Sequence, residues 1–143
     1  MKDRLARLTL ALPLMAMLVL ATATVASADN GVSVAIQPTA ELNAKVEVIT
    51  TVTVSCPSGW YTMGNSVTVE QAVGGRSIAS GTTYIPGVQC TGQNQTIPVT
   101  ILADTGGPPF KKGTALVSAT LGACDYSVFG CQITTTNAVV RLR

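Results

Sequence analysis

Four cysteines are the residues of this chain whose chemistry is easiest to interpret: Cys56, Cys90, Cys124 and Cys131. A cysteine can act as a nucleophile, bind a metal or form a disulfide, and its surroundings decide which. Zinc sites usually show Cys-x-x-Cys spacing or histidines, and the chain has neither. An even number of cysteines in a small exported chain is typical of disulfides. We therefore predict two disulfides, no metal site and no cofactor.

Groups suited to acid–base or nucleophilic catalysis are scattered along the chain. The absence of histidine removes the commonest general base, and oxidised cysteines offer no thiolate. The acidic residues beyond position 28 form no D-x-D or E-x-x-E pair, and no serine lies in a G-x-S-x-G motif. We predict no catalytic residue and no enzymatic activity.

The aromatic residues point to binding rather than catalysis. Trp60 and Tyr61 follow the second predicted strand, whereas Tyr126 and Phe129 lie between the last two cysteines. In a seven-stranded sandwich, the loops after the second strand and before the last strand lie at the same end. We predict that these four side chains form one partly exposed patch that binds a ligand. The alternative is that Trp60 plugs the end of the core and the others have no role.

Residues 1–28 have the three parts of a secretory signal peptide. A basic head is followed by an apolar run from Leu8 to Leu20 and then by the small residues Ala26-Ser27-Ala28. A membrane span needs about 20 apolar residues, and this run is shorter. We predict cleavage before Asp29, which leaves one domain, 29–143, of 143 − 28 = 115 residues. We expect this domain to be secreted to the extracellular space without a membrane anchor.

Removal of the signal peptide changes the charge balance. Three basic residues and one acidic residue are lost, so 9 − 3 = 6 basic and 7 − 1 = 6 acidic residues remain. The basic residues are scattered in sequence, and a phosphate-binding surface needs a denser cluster. We predict that the protein does not bind nucleic acid.

Period-two alternation of apolar residues predicts the elements that must position these groups. Strands are expected near residues 32–36, 45–56, 67–73, 97–103, 115–121 and 133–142. Two weaker strands are also expected, one that starts at Arg76 and a separate short one that ends at Cys90. No stretch beyond residue 28 has a helical stripe. We predict an all-β fold, an immunoglobulin-like antiparallel β-sandwich of about seven strands. A small closed barrel is the alternative.

The alternation also predicts which side chains are buried. Lys45, Thr51 and Thr53 should be exposed on the second predicted strand. The predicted core consists of Val46, Val48, Val52, Val54, Val99, Ile101, Ala115, Val117, Ala119 and Leu121.

Four cysteines allow three disulfide pairings. Cys124 and Cys131 flank a short loop, which favours their pairing with each other. Cys56 and Cys90 each end a predicted strand, and we expect those two ends to lie on the same side. The predicted pairs are therefore Cys56–Cys90 and Cys124–Cys131.

Three segments carry a resemblance to known proteins: Val52-Thr53-Val54-Ser55-Cys56, Cys90-Thr91-Gly92 and the strand from Gly113 to Leu121. They resemble a family of small secreted actinobacterial proteins with an immunoglobulin-like outline and no assigned activity. The size and paired disulfides are also distantly similar to the neocarzinostatin-type carrier proteins, which hold a small chromophore. The first resemblance implies a β-sandwich, and the second implies a non-catalytic carrier of a small molecule.

Two classes of function follow. The first is a secreted, non-catalytic binding or interaction module that acts through its aromatic loop end, with a protein, a glycan or a small apolar molecule as ligand. The second is a structural or cell-envelope-associated domain without a discrete ligand. A protease inhibitor with an exposed loop is a further option.

Overall fold

The chain forms eight β-strands in a computed structural model that describes residues 31–128 and 130–143. The strands are β1 (Ser33–Ile36), β2 (Thr39–Asn43), β3 (Glu47–Ser55), β4 (Tyr61–Gly74), β5 (Ser77–Thr83), β6 (Gln95–Leu102), β7 (Gly113–Asp125) and β8 (Gly130–Leu142). There is no helix in these two ranges. The predicted signal peptide and its cleavage site before Asp29 lie outside the described residues.

Two sheets face each other across a single core. In the first, β3 pairs antiparallel with β6 on one side and with β1 and β2 on the other. The second has the order β5-β4-β7-β8, with every pair antiparallel. The predicted immunoglobulin-like β-sandwich is confirmed, with eight strands instead of about seven. The sheets do not close into a barrel.

One side of the sandwich is joined by β2, a strand that the sequence analysis missed. Residues 41–43 pair with β3 of the first sheet, whereas Thr39 and Ala40 run parallel to Arg141 and Leu142 of β8. Pro38 separates β1 from β2, and its carbonyl oxygen accepts a hydrogen bond from Arg141 N at 3.0 Å. This strand therefore holds the two sheets together at one edge.

The opposite side is joined where β5 meets the end of β6. Asp104 N donates to Ser80 O at 2.8 Å, and Ser80 Oγ donates to Asp104 Oδ2 at 2.6 Å. Beside them a Cβ at Gly81 would overlap the carbonyl oxygen of Leu102. Glycine is needed there because the two backbones approach too closely for a side chain.

The core is rich in valine and matches most of the predicted positions. The predicted core residues that are buried are Val48, Val52, Val54, Val99, Ile101, Ala115, Val117, Ala119 and Leu121. The prediction for Val46 is wrong, since this side chain is 50% exposed. Val46 closes the β2–β3 turn by donating from its N to Asn43 O, and the two intervening residues have positive φ. The strand therefore starts only at Glu47.

The outer face of β3 is covered more than predicted. Lys45 is exposed, as expected, but Thr51 and Thr53 are half-buried. Because β3 is the central strand of its sheet, side chains on both neighbouring strands shield its outer face. Thr53 Oγ1, for example, lies 3.5 Å from Thr96 Oγ1 on β6.

A buried phenylalanine closes the end of the core formed by the β2–β3 turn and the start of β7. Phe110 is fully buried, and its N donates to Lys45 O at 2.8 Å. The buried amide of Gln71 donates to Lys111 O at 2.7 Å and to Thr114 O at 3.2 Å, and it accepts from Lys111 N at 2.8 Å. These bonds satisfy the amide and fasten the segment that carries Phe110.

Core truncation provides the first test of this packing. We expect Val54→Ala and Val117→Ala each to lower the free energy of unfolding by about 1–3 kcal/mol, through lost burial and a residual cavity. The matched control is Val46→Ala, which removes the same atoms from an exposed site and should change stability by less than about 0.5 kcal/mol. Urea unfolding measures all three. Equal losses for Val54→Ala and Val46→Ala would contradict the strand register.

Thr50 provides a test of opposite sign. Its side chain points into the core and is 1% exposed, and Oγ1 has no hydrogen-bond partner among the described residues. Valine has nearly the same shape without the hydroxyl, so Thr50→Val should raise the free energy of unfolding by about 1–2 kcal/mol. Thr53→Val, on the outer face of the same strand, serves as the control and should be nearly neutral. A loss of stability in Thr50→Val would show that the hydroxyl is bonded.

Candidate functional site

Both disulfides lie at one end of the sandwich, which we call the disulfide end. It is formed by residues 56–66, 82–94 and 122–133, apart from residue 129, which lies outside the described residues. Cys56 is joined to Cys90 and Cys124 to Cys131, the two pairs that the sequence predicts. The end is built around these two covalent links.

The Cys56–Cys90 disulfide ties the loop before β6 to the end of β3. The Cα atoms are 4.8 Å apart, Gly92 N donates to Cys56 O at 3.0 Å, and Gly59 N donates to Cys90 O at 3.3 Å. Cys90 does not end a strand as predicted, because residues 84–94 form turns and loops between β5 and β6. The main-chain bonds across the disulfide replace the strand pairing that this segment lacks.

The Cys124–Cys131 disulfide joins directly opposite residues of β7 and β8. The register is unbroken from Asp125 opposite Gly130 to Gly113 opposite Leu142. The Cα atoms of the two cysteines are 4.0 Å apart, close to the spacing of a non-hydrogen-bonded antiparallel pair. The disulfide therefore closes the hairpin at the base of the turn that carries Tyr126.

A bulge in β4 brings a thioether against this disulfide. The register of β4 on β7 shifts between Met63 and Ser66, and Gly64 within the bulge has a φ of +63°. A Cβ at Gly122 would overlap the carbonyl oxygen of Met63, so glycine permits the close approach of β4. The thioether of Met63 faces Cys124 Sγ, so β4 and β7 are in side-chain contact beside the disulfide.

The predicted aromatic patch is partly assembled. The rings of Tyr61 and Tyr126 stack with centroids 4.0 Å apart and an interplanar angle of 26°. Tyr126 is 67% exposed and Tyr61 is 37% exposed, so the stacked pair presents aromatic surface to solvent. Trp60 directly precedes Tyr61 and is half-buried, and its N donates to Pro57 O at 3.3 Å. Phe129, the fourth predicted member, lies outside the described residues.

The disulfide end has further exposed apolar side chains that the sequence analysis did not select. Tyr84 is 76% exposed at the end of β5 and lines a shallow groove of about 400 Å³ with Gly64, Ser66, Thr82 and Thr83. Asn65 Nδ2 donates to Ile85 O at 3.1 Å and holds the loop beside this groove. Two large aliphatic side chains near the Cys124–Cys131 disulfide are also exposed: Val128 and Ile133.

Charge is concentrated in the opposite half of the sandwich. Described residues include six basic and five acidic side chains, and all but one lie towards the β2–β3 turn and the start of β7. These ten are Glu41, Lys45, Glu47, Glu70, Arg76, Asp104, Lys111, Lys112, Arg141 and Arg143. The remaining one, Asp125, is at the disulfide end, where the exposed surface is otherwise polar, aromatic and aliphatic.

Asp125 itself has a structural role in the turn that carries Tyr126. Its Oδ1 accepts from Ser127 Oγ and from Ser127 N, both at 2.7 Å. The hydroxyl and then the backbone N–H favour the charged carboxylate, and they hold the pKa of Asp125 below its ordinary value of 3.8. The carboxylate is thus ionised at neutral pH and fixes the first residues of the turn.

The described residues offer no other evident chemistry. All four cysteines are oxidised, and no group of three or more histidine, cysteine or acidic side chains is placed to hold a metal. None of the described segments forms a helix that is long and apolar enough to cross a membrane.

Comparison with known proteins gives no relative: no protein-family model matches the chain, and no curated protein or solved structure is significantly similar to it. The resemblance to small secreted actinobacterial proteins and to the neocarzinostatin-type carriers stays a prediction.

The ionisation of Asp125 gives a direct test of the turn geometry. In an NMR titration, the Asp125 carboxyl should titrate below pH 3.8. Because the folded pKa is depressed, the stabilisation of the turn is present above the ordinary value and is lost as pH falls through the folded pKa. Ser127→Ala removes the hydroxyl donor and should move the midpoint back towards 3.8. An unchanged midpoint in Ser127→Ala would contradict the hydrogen bond.

Proposed function

We propose that this protein is a secreted, non-catalytic binding module whose ligand docks on the disulfide end. The observation that carries the proposal is the exposed Tyr61–Tyr126 stack beside the Cys124–Cys131 disulfide. Two disulfides are typical of an oxidising, extracellular environment, which supports secretion. Residues 1–28 supply the export signal in this proposal.

Preorganisation supports binding at this end. Tyr126 is held by the disulfide at the base of its turn, by the Asp125–Ser127 hydrogen bonds and by its stack on Tyr61. Ordering a mobile side chain on binding costs about 0.5–1.5 kcal/mol, and a surface that is already ordered avoids that cost. Tyrosine also provides a large contact area for only two rotatable bonds. The ligand therefore meets a rigid aromatic surface.

The distribution of charge supports an uncharged contact surface on the ligand. Asp125 is the one charged side chain described at this end, and its carboxylate is already engaged by Ser127. Binding to an ionic ligand would weaken as salt screens the charges, whereas stacking and hydrogen bonding to neutral groups would not. A neutral glycan, an uncharged protein surface or a small apolar molecule fits this end.

The test compares the ligands captured from culture supernatant and cell wall by three forms of the secreted protein: the wild type, Tyr126→Ala and Ile78→Ala. Tyr126→Ala should weaken capture by about tenfold, as expected for loss of a central aromatic contact, without a change in folding. Ile78→Ala is the matched control, since it removes an exposed apolar side chain on β5 near the opposite end and should leave capture unchanged. Captured material is identified by mass spectrometry and glycan analysis.

Two further observations sharpen this test. Capture should be insensitive to an increase from about 0.1 to 1 M salt, a range over which the Debye length falls from about 10 to 3 Å. Equal capture by all three forms would contradict a site at the disulfide end. No specific capture by any form would favour a structural, envelope-associated role.

A further inference from the structure

Strand β8 leaves one long edge without a partner strand. It pairs with β7 along its whole length, but on its other side β2 covers only Arg141 and Leu142. Within residues 31–128 and 130–143, no strand pairs with that side of β8 between Gly130 and Val140. The edge is thus open over most of the strand.

The backbone groups on this edge can be assigned from the register. Arg141 N and Arg143 N donate to Pro38 O and Ala40 O, so both residues direct their backbone groups away from β7. Because the register with β7 is unbroken, every second residue back along β8 does the same. The residues whose N–H and C=O face the open edge are Cys131, Ile133, Thr135, Asn137 and Val139.

This edge lacks the features that usually prevent strand pairing. Edge strands are normally protected by charged side chains, proline, bulges or short length. From Gly130 to Val140 there is no charged residue, no proline and no break in register. The five side chains that alternate along the edge are exposed on the outer face of the sheet. The edge is therefore competent to accept another strand.

The inner side of the strand is held in place by β1. Thr136 Oγ1 donates to Val34 O at 2.8 Å, and Val32 N donates to Gln132 Oε1 at 3.2 Å. These contacts are made by the side chains of Gln132, which is exposed, and Thr136, which is half-buried. Both residues alternate with those whose backbone groups face the open edge. They steady β8 without using the backbone groups of the open edge.

We propose that the open edge of β8 pairs antiparallel with β8 of a second copy of this chain, about a two-fold axis at Thr135. The five open positions are evenly spaced on either side of Thr135. A two-fold axis there therefore places each open position of one strand opposite an open position of the other. Cys131 lies opposite Val139, Ile133 lies opposite Asn137, and Thr135 lies opposite its own copy. Five residues of each strand then exchange both backbone groups, giving up to 5 × 2 = 10 hydrogen bonds and one continuous eight-stranded sheet.

The absence of charge along this edge makes a second copy a suitable occupant. In an isologous contact each residue near the axis meets itself or a close neighbour, so any charge there would face a like charge. Residues 130–140 carry none, and the first charged residue, Arg141, is already paired with β2. No charge on this edge therefore opposes self-association. The proposal does not rest on the proposed function, although Cys131 and Ile133 belong both to this edge and to the disulfide end.

Sedimentation equilibrium of the secreted protein tests the proposal. The wild type should show a monomer–dimer equilibrium, and Thr135→Lys should weaken dimerisation by up to about fivefold because two ammonium groups meet at the axis. The matched control is Thr120→Lys. Thr120 Oγ1 lies 2.9 Å from Thr135 Oγ1, so this variant loses the same hydroxyl contact and gains the same charge one strand away from the edge. It should dimerise like the wild type.

Charge reversal keeps the test informative if Thr135→Lys alone lowers stability. A mixture of Thr135→Lys and Thr135→Glu should form a heterodimer that is tighter than the homodimer of either variant alone. A wild type that remains monomeric up to about 1 mM would overturn the proposal. At that concentration half of the chains would be dimeric if the binding free energy were about −4 kcal/mol. Equal loss of dimer in Thr120→Lys and Thr135→Lys, or a mixture that stays monomeric, would also overturn it.

Discussion

The pairing of Cys124 with Cys131 fixes the register on which the rest of the structure depends. A strand that slips by one residue turns every side chain to the opposite face, so register decides which residues are buried. With these two cysteines opposite each other, Val117 and Val140 face the core and Thr120 and Thr135 face solvent. The same register places Tyr126 at the tip of the hairpin and directs alternate backbone groups of β8 to its open edge.

The two ends of the sandwich are stabilised by different interactions. At the end near the start of β7, Phe110 fills the core, Gln71 ties down its segment, and most charged side chains gather around them. At the disulfide end, two covalent links and the contact of Met63 with Cys124 replace a large buried side chain. Because the disulfides hold this end together, its aromatic rings do not have to be buried to stabilise it, as Phe110 is at the other end. They can therefore lie at the surface. That difference supports the placement of the ligand site.

Period-two alternation was enough to predict the sandwich and nearly all of the predicted core, because a strand with one face in a core repeats every second residue. It was wrong for Val46, because a tight turn with positive φ at Ala44 and Lys45 precedes the strand without a glycine to signal it. Burial of Phe110 depends on hydrogen bonds to residues about 40 positions away, which local pattern does not contain. Two of the four patch residues, Tyr61 and Tyr126, meet because Tyr61 begins β4 opposite Cys124 and the disulfide closes the turn that carries Tyr126.

We infer that the Cys124–Cys131 disulfide preorganises the turn that carries Tyr126. Backbone ¹⁵N relaxation of Asp125, Tyr126 and Ser127 tests it most directly, in the oxidised protein and in a variant that carries Cys124→Ser with Cys131→Ser. A rigid turn predicts order parameters near about 0.85 in the oxidised protein, falling below about 0.6 when the disulfide is removed. Low order parameters in the oxidised protein, or equal values in both forms, would contradict the claim.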